Sequence, residues 1–145
     1  MILMPLTPAD APGMSAIHTS FDLPWERPWS PDEYIKMLSL PSVRGLGAKR
    51  GGTLCGFILF QVALDTADIL FMGVRRDFQK QGIATELLKS IESKALEFIY
   101  LEVCVENYKA IAFYSKNNYI KGPLRKKYYH QDNASFDALM MTKKI

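Results

Sequence analysis

Two stretches of this chain carry side chains whose types and spacing could do chemistry. The first is Gln79-Lys80-Gln81-Gly82-Ile83-Ala84, set between an apolar run, 69–74, and an amphipathic helical pattern. A strand that runs through small residues into a helix leaves several backbone N–H groups unpaired and aimed one way. Together with the positive end of the helix dipole they form an anion site, suited to a phosphate. Gly82 allows close approach to the backbone, Ala84 is nearly as small, and Arg75, Arg76 and Lys80 add positive charge. The second stretch runs from Leu101 to Tyr114. Its first part alternates, so Tyr100, Glu102, Cys104 and Glu106 share one strand face and Leu101, Val103 and Val105 the other. Glu102, with Glu106 behind it, reads either as a surface carboxylate in an ion pair or as a proton acceptor. Asn107 and Tyr114 stand seven residues apart, two helical turns, and so share one side of a helix with Ala110 and Ile111.

These groups need elements to position them. The spacing predicts a strand over 2–6, then a helix from Thr7-Pro8 to about Thr19, with Thr as N-cap and Pro at the first helical position. Residues 21–29 form a Pro- and Trp-rich loop. Ser30-Pro31-Asp32-Glu33 is a capping box that opens a second helix through Leu38. Strands follow over 43–49, 53–64 and 67–74, turned at Arg50-Gly51-Gly52 and Asp65-Thr66. Gly73 suggests a bulge or a place where something packs on bare backbone. A third helix is expected from Gly82 to about Glu97. Its apolar stripe is Ile83, Leu87, Leu88, Ile91 and Ala95, with Glu86, Lys89, Glu92 and Lys94 on the polar face. Then come a strand over 98–105, a helix over 107–117 ending on a left-handed Asn118, and a hairpin of 119–128 with 135–142 around a loop at 130–133. The order β-α-α-β-β-β-α-β-α-β-β implies an α/β fold, a mixed sheet with helices on both faces, in one domain spanning 1–145.

Composition narrows the function classes. A net charge of +3 is too small to argue for nucleic acid, although it favours an anionic ligand. Apolar runs stay far short of a membrane span, and the first residues carry no leader pattern. Two cysteines, Cys55 and Cys104, both in strand-like runs, fit a reduced, cytoplasmic setting. No His/Cys spacing suggests a metal; His18 reads as helix packing and His130 as an exposed loop residue. Gly82 is not followed by the Gly-Lys-Ser/Thr of a nucleotide-binding P-loop.

The element order with the Q-x-x-G-x-A turn after the fourth strand resembles the GNAT N-acetyltransferase superfamily. Within it, several segments resemble the bacterial ribosomal-protein-alanine N-acetyltransferases, the RimI type. These are Pro28-Trp29-Ser30, the turn at 79–84, Leu101-Glu102-Val103, Asn107 with Ala110 and Tyr114, Arg125-Lys126-Lys127-Tyr128-Tyr129, and Asp137-Ala138-Leu139-Met140. Departures are Ala84 where Gly is common, Cys104 where Arg is frequent, and Asn118-Tyr119 in place of Gly-Phe.

That resemblance implies transfer of acetyl from acetyl-CoA to an amine, with no metal and no covalent enzyme intermediate. In the family a bulge splays the fourth and fifth strands, and the pantetheine arm lies in the gap. That role would fall on Met72, Gly73 and Val74. The pyrophosphate would sit on the backbone of Lys80, Gln81, Gly82, Ile83, Ala84 and Thr85, after Gln79. Asn107 would bond the cofactor's amides, and a backbone N–H near Val74 would receive the oxyanion. Glu102 would be the base, directly or through water, and Tyr114 would protonate the leaving thiolate. The 21–30 and 128–135 loops would wall an acceptor groove, with Trp29, Tyr128 and Tyr129 against a short peptide; Trp29 reads equally as core. The implied acceptor is a protein N-terminus, that of a ribosomal protein, with a small amine or a lysine side chain as the alternative. A non-catalytic acyl-CoA-binding module is the reading from another class. No direct nucleic-acid or membrane partner is expected, and the chain is expected to be a monomer or weak dimer.

Overall fold

A computed structural model describes residues 1–92 and 95–145. The elements are β1 (Ile2–Pro5), a 3₁₀ turn (Pro8–Asp10), α1 (Ala11–Ser20), α2 (Pro31–Leu38), β2 (Val43–Arg50), β3 (Thr53–Ala63) and β4 (Thr66–Val74). After a second 3₁₀ turn (Arg76–Phe78) come α3 (Ile83–Glu92), β5 (Phe98–Cys104), α4 (Tyr108–Lys116), β6 (Ile120–Gln131) and β7 (Ala134–Lys144). One seven-stranded sheet has the order β1-β2-β3-β4-β5-β7-β6. Every neighbouring pair is antiparallel except β4 and β5. The expected order and mixed sheet are borne out. No helix among the described residues is long and apolar enough to cross a membrane.

Alternation along the central strands builds two cores. Ile58, Phe60, Ile69, Ile99, Leu101 and Val103 pack with Leu87, Leu88 and Ile91 of α3 and Tyr114 of α4. Phe57 and Leu59 face the other way, against Ala11, Met14 and Ile17 of α1 and Tyr34 of α2. The helices therefore cover opposite faces in pairs. Ser30 caps α2 as expected, accepting from the Glu33 amide while the Glu33 carboxylate accepts from the Ser30 amide.

Three boundaries and the place of one bulge differ from the sequence expectation, each for a physical reason. Pro12 has no N–H to return to Pro8, so no α ladder can start at residue 8. The Ala11 amide bonds the Pro8 carbonyl instead, making a 3₁₀ turn, and α1 begins at Ala11. The third helix ends well before Glu97. Ala95 lies beyond it on an exposed bend, and the Glu97 amide already bonds the Asp65 carbonyl at 2.6 Å to start β5. Lys94, expected on its polar face, lies outside the described residues. The final hairpin is longer than expected, because Asp132 (φ 50°) and Asn133 (φ 65°) supply a two-residue turn and place His130 and Gln131 in β6. Gly73, finally, is not the bulge. Leu59 pairs Phe71 and Phe60 pairs Ile69, so Leu70 is the extra residue of β4. The missing side chain of Gly73 makes room for Phe21, whose Cε2 would lie 2.7 Å from an added β-carbon.

That bulge positions the site. β4 pairs β5 only from Thr66–Ile69 with Phe98–Leu101. Beyond the bulge, Met72, Gly73 and Val74 pair β3 on one side, while Glu102, Val103 and Cys104 pair β7 on the other. The sheet opens into a wedge between them.

Candidate active site

The wedge exposes one edge of β4 in mid-sheet. An unpaired strand edge offers alternating N–H and C=O groups to an extended ligand carrying amides. At its mouth the chain turns through Arg76–Phe78, then Lys80 at φ 62° and Gly82 at φ 84°, into α3. Both positive φ values bend the backbone so that successive N–H groups converge. Among the described residues, no backbone carbonyl accepts from the N–H groups of Lys80 through Thr85; Glu86 is the first to donate back, to Gly82, at 3.0 Å. A β-carbon on Gly82 would meet nothing within 4 Å, so glycine is required there by conformation and not by space. Gln79 stands apart from its neighbours. Its side-chain amide donates to the Val74 carbonyl at 3.0 Å and ties the turn to the end of β4.

The cations differ from the sequence picture. Arg75 is engaged by Asp77 at 2.7 and 3.1 Å, and Arg76 donates to the Ser20 carbonyl at the end of α1. Lys80 is exposed and makes no ion pair among the described residues. Arg50, from the β2–β3 turn, is the cation that sequence reasoning missed. It approaches Gln81 Oε1 at 3.4 Å and lies over the Phe78 ring at 5.5 Å. Only the β2–β3 turn brings it there, so its distance along the chain gave no signal.

Glu102 and Tyr114 sit on opposite sides of β5. Glu102 lies on the α1/α2 face beside a cavity lined by Gln61, Thr66, Asp68, Tyr100 and Arg125. Its side chain is 19% exposed, with Oε1 3.2 Å from Arg125 Nη1. The ion-pair reading is thus present, yet Oε2 is buried with no hydrogen-bond partner. Burial and the nearby Glu102 charge push Asp68 above the ordinary aspartate range, against a smaller lowering by Arg125. Tyr114 is buried on the α3/α4 face, edge-on to Phe113 and Tyr119. Burial pushes its phenol well above the ordinary value, and nothing among the described residues hydrogen-bonds the hydroxyl. It therefore stays protonated at neutral pH and has a proton to give. Asn107 is the N-cap of α4: its Oδ1 accepts from the Ala110 amide at 3.3 Å, which leaves the amide nitrogen as a donor. Cys104 is buried, and its thiol is raised chiefly by burial, the opposite of an activated nucleophile.

A family model, the Acetyltransferase (GNAT) family, matches residues 14–119. The chain belongs to this family. It is 30% identical over 96 residues to the [ribosomal protein bS18]-alanine N-acetyltransferase of Escherichia coli K12. That match covers 63% of this chain and 65% of the relative, so the chain spans slightly less than two thirds of that protein's length. It is 29% identical over 138 residues to the N-alpha-acetyltransferase RimI of Mycobacterium tuberculosis, covering 89% of this chain and 84% of that one. Two solved structures share the fold. The ribosomal-protein-S18-alanine N-acetyltransferase from Escherichia coli superposes with TM-score 0.86 at 24% identity, over 99% of this chain and 93% of that one. Arabidopsis thaliana NAA60 in complex with a bisubstrate analogue gives 0.84 at 18% identity, over 99% and 97%.

In this GNAT chain the aromatic residues expected to wall an acceptor groove divide into two kinds. Trp29 is anchored by its backbone, whose carbonyl accepts from Ser15 Oγ at 2.7 Å and whose amide donates to His18. Its half-buried ring packs on Tyr34 at 5.2 Å, so it is as much core as wall. Tyr129 uses its hydroxyl on the Glu102 carbonyl at 3.1 Å and braces β5. Tyr128 is 43% exposed, edge-on to Tyr129, with Arg125 over its ring at 5.2 Å.

Proposed function

We propose that this chain transfers acetyl from acetyl-CoA to the N-terminal α-amine of a protein. Alanine at the start of a ribosomal small-subunit protein is the first candidate acceptor. The observation that carries the reading is the wedge itself. It joins the buried, unpartnered Glu102 Oε2 on one sheet face to the protonated Tyr114 hydroxyl on the other. Groups of opposite proton demand thus lie on the two faces of β5, the strand that parts from β4 beyond Ile69. The ribosomal acceptor is supported by the Escherichia coli relative, an alanine N-acetyltransferase of ribosomal protein bS18, and the α-amine by the Mycobacterium tuberculosis relative, an N-alpha-acetyltransferase.

The residues fit acetyl-CoA. The open edge at Met72–Val74 suits its amides, the free N–H row from Lys80 to Thr85 its pyrophosphate, and Lys80 and Arg50 its charge. Once bound, it would supply an acetyl group activated as a thioester. An α-amine has a pKa near ~8, so it arrives largely as the ammonium and must lose a proton to attack. Glu102 Oε2 takes that proton, directly or through one water, a contribution of roughly 10²- to 10⁴-fold. A backbone N–H near Val74 would steady negative charge on the acetyl oxygen. Tyr114, protonated at neutral pH, would give its proton to the departing sulfur. The acylated nitrogen would return its remaining extra proton to Tyr114, and Glu102 would release its proton to solvent, so both residues end as they began. The reading places the chain in the cytoplasm, where ribosomal proteins are made.

The test is a direct competition. The chain, acetyl-CoA, an alanine-initiated ribosomal peptide, an N-terminally blocked lysine peptide and a polyamine are incubated together and products are identified by mass. Acetylation of the free α-amine is expected; transfer to the polyamine or lysine alone would overturn the acceptor assignment.

A further inference from the structure

The cavity beside Glu102 holds a second carboxylate that no step above uses, Asp68. Sheet register puts it there. Asp68 on β4 lies opposite Tyr100 on β5, and Ile69 opposite Leu101 is the last pair before the two strands part. Side chains alternate along a strand, so Asp68, Tyr100 and Glu102 stand on one face of the sheet. Asp68 precedes that last pair and Glu102 follows it. The cavity, about 350 Å³, therefore sits at the apex of the wedge. Its volume is at the small end of ligand sites.

The charges in this cavity do not balance. Arg125 reaches in from β6 and takes Glu102 Oε1 at 3.2 Å. Among the described residues it is the one cation lining the cavity, against two carboxylates. Asp68 is exposed there and makes no ion pair or hydrogen bond among the described residues. With Asp68 the cavity carries one net negative charge; without it the net charge is zero. Like charges on neighbouring strands of one sheet face are destabilising, a cost that a bound cation removes. The Asp68 carboxyl lies above the ordinary range because burial and the Glu102 charge disfavour its ionised form, which a bound cation would favour. An acceptor α-amine is such a cation: it arrives largely as an ammonium, with three N–H donors. Asp68 and the unpartnered Glu102 Oε2 offer it acceptors from adjacent strands.

We propose that Asp68 is the carboxylate that draws the acceptor's α-ammonium into the cavity, beside the Glu102 oxygen that then takes its proton, and that Arg125 opposes the arriving cation. Asp68 would thus set acceptor affinity and Arg125 would limit it. This rests on the reading that the acceptor is an amine.

The experiment uses an alanine-initiated peptide with no lysine, arginine or histidine, so its only cation is the α-ammonium. In Asp68→Asn the peptide KM should rise ~10-fold or more, as loss of a charge-assisted contact implies, with a smaller change in kcat. A des-amino analogue of the peptide, which carries no cation, should inhibit wild type and Asp68→Asn equally. Arg125→Gln should act in the opposite direction and lower KM, because both negative charges are then uncompensated. Asp68→Asn should melt no lower than wild type, since one of two like charges is gone. An unchanged KM in Asp68→Asn, equal weakening of the des-amino analogue, or a raised KM in Arg125→Gln overturns the proposal. So does a loss confined to kcat in Asp68→Asn, which would make Asp68 the base. If wild type acetylates only a small amine, the protein-acceptor reading fails, and the same Asp68→Asn comparison on that amine decides this inference separately.

Discussion

Gly82→Ala isolates the contribution of one backbone angle to cofactor binding. Gly82 sits at φ 84°, and an added β-carbon would meet nothing within 4 Å. Steric overlap with neighbours therefore contributes nothing, and the cost is conformational. Holding a residue other than glycine at such an angle costs about 1–2 kcal/mol. That cost must appear in one of two places. If the turn keeps its shape, the protein loses the full amount in stability and melts about 3–8 °C lower. If the free protein relaxes to negative φ, the N–H row from Lys80 to Thr85 disperses and CoA must restore it. The CoA dissociation constant then rises about 5- to 30-fold, since each 1.4 kcal/mol is tenfold. Thermal melting and calorimetric titration with CoA measure the two parts, which should sum to about 1–2 kcal/mol. Gly82→Asn should recover part of the loss, because asparagine tolerates positive φ better than alanine. Unchanged melting together with unchanged CoA affinity would refute the reasoning.

Three further outcomes follow from particular contacts. Tyr114→Phe should lower kcat by roughly 10²-fold or more with CoA affinity unchanged. It should leave melting nearly unchanged, because nothing among the described residues bonds that hydroxyl; a large loss of stability would assign the tyrosine to the core alone. Gly73→Ala should destabilise by about 1–3 kcal/mol in thermal melts, since Phe21 must move from 2.7 Å; an unchanged melt would mean the ring swings away freely. Asp10→Asn should show a pH-dependent deficit. Burial alone would raise the Asp10 carboxyl, but Lys49 at 2.8 Å and the Thr7 amide outweigh it and hold it below the ordinary range. A depressed value contributes stability above the unfolded aspartate pKa of ~3.9 that is lost as pH falls through the folded value. Wild type should therefore melt higher than Asp10→Asn at neutral pH and converge with it in acid; a constant gap would contradict this.

The parts readable from sequence are the local ones. The Gln79–Ala84 turn announces itself because small residues, a preceding apolar strand and a following helical stripe lie within a few residues of one another. The Asn107–Tyr114 helix and the Ser30 capping box are equally local, and both formed with boundaries shifted by a residue at most. What sequence hid depends on contacts across the fold. Arg50 reaches the Gln79–Ala84 turn only through a β-hairpin, and His18 faces Glu26 only because a Pro- and Trp-rich loop folds back over α1. The glycine signal at position 73 was real but ambiguous. A bare strand position can mark a bulge or a packing neighbour, and here the bulge is at Leu70 and the neighbour is Phe21. The end of α3 was misjudged because periodicity continues after the helix has stopped, while Glu97 is already hydrogen-bonded to Asp65.

One measurement bears most directly on the wedge as a site of acetyl transfer. Glu102→Gln keeps the shape of the side chain and removes its ability to take a proton. CoA should bind this variant as it binds wild type, because Glu102 lies on the far side of β5 from Tyr114 and away from the Lys80–Thr85 turn. Acetylation of an alanine-initiated peptide at neutral pH should fall by roughly 10²- to 10⁴-fold. Turnover equal to wild type, with CoA binding intact, would contradict the role given to Glu102 and to the wedge.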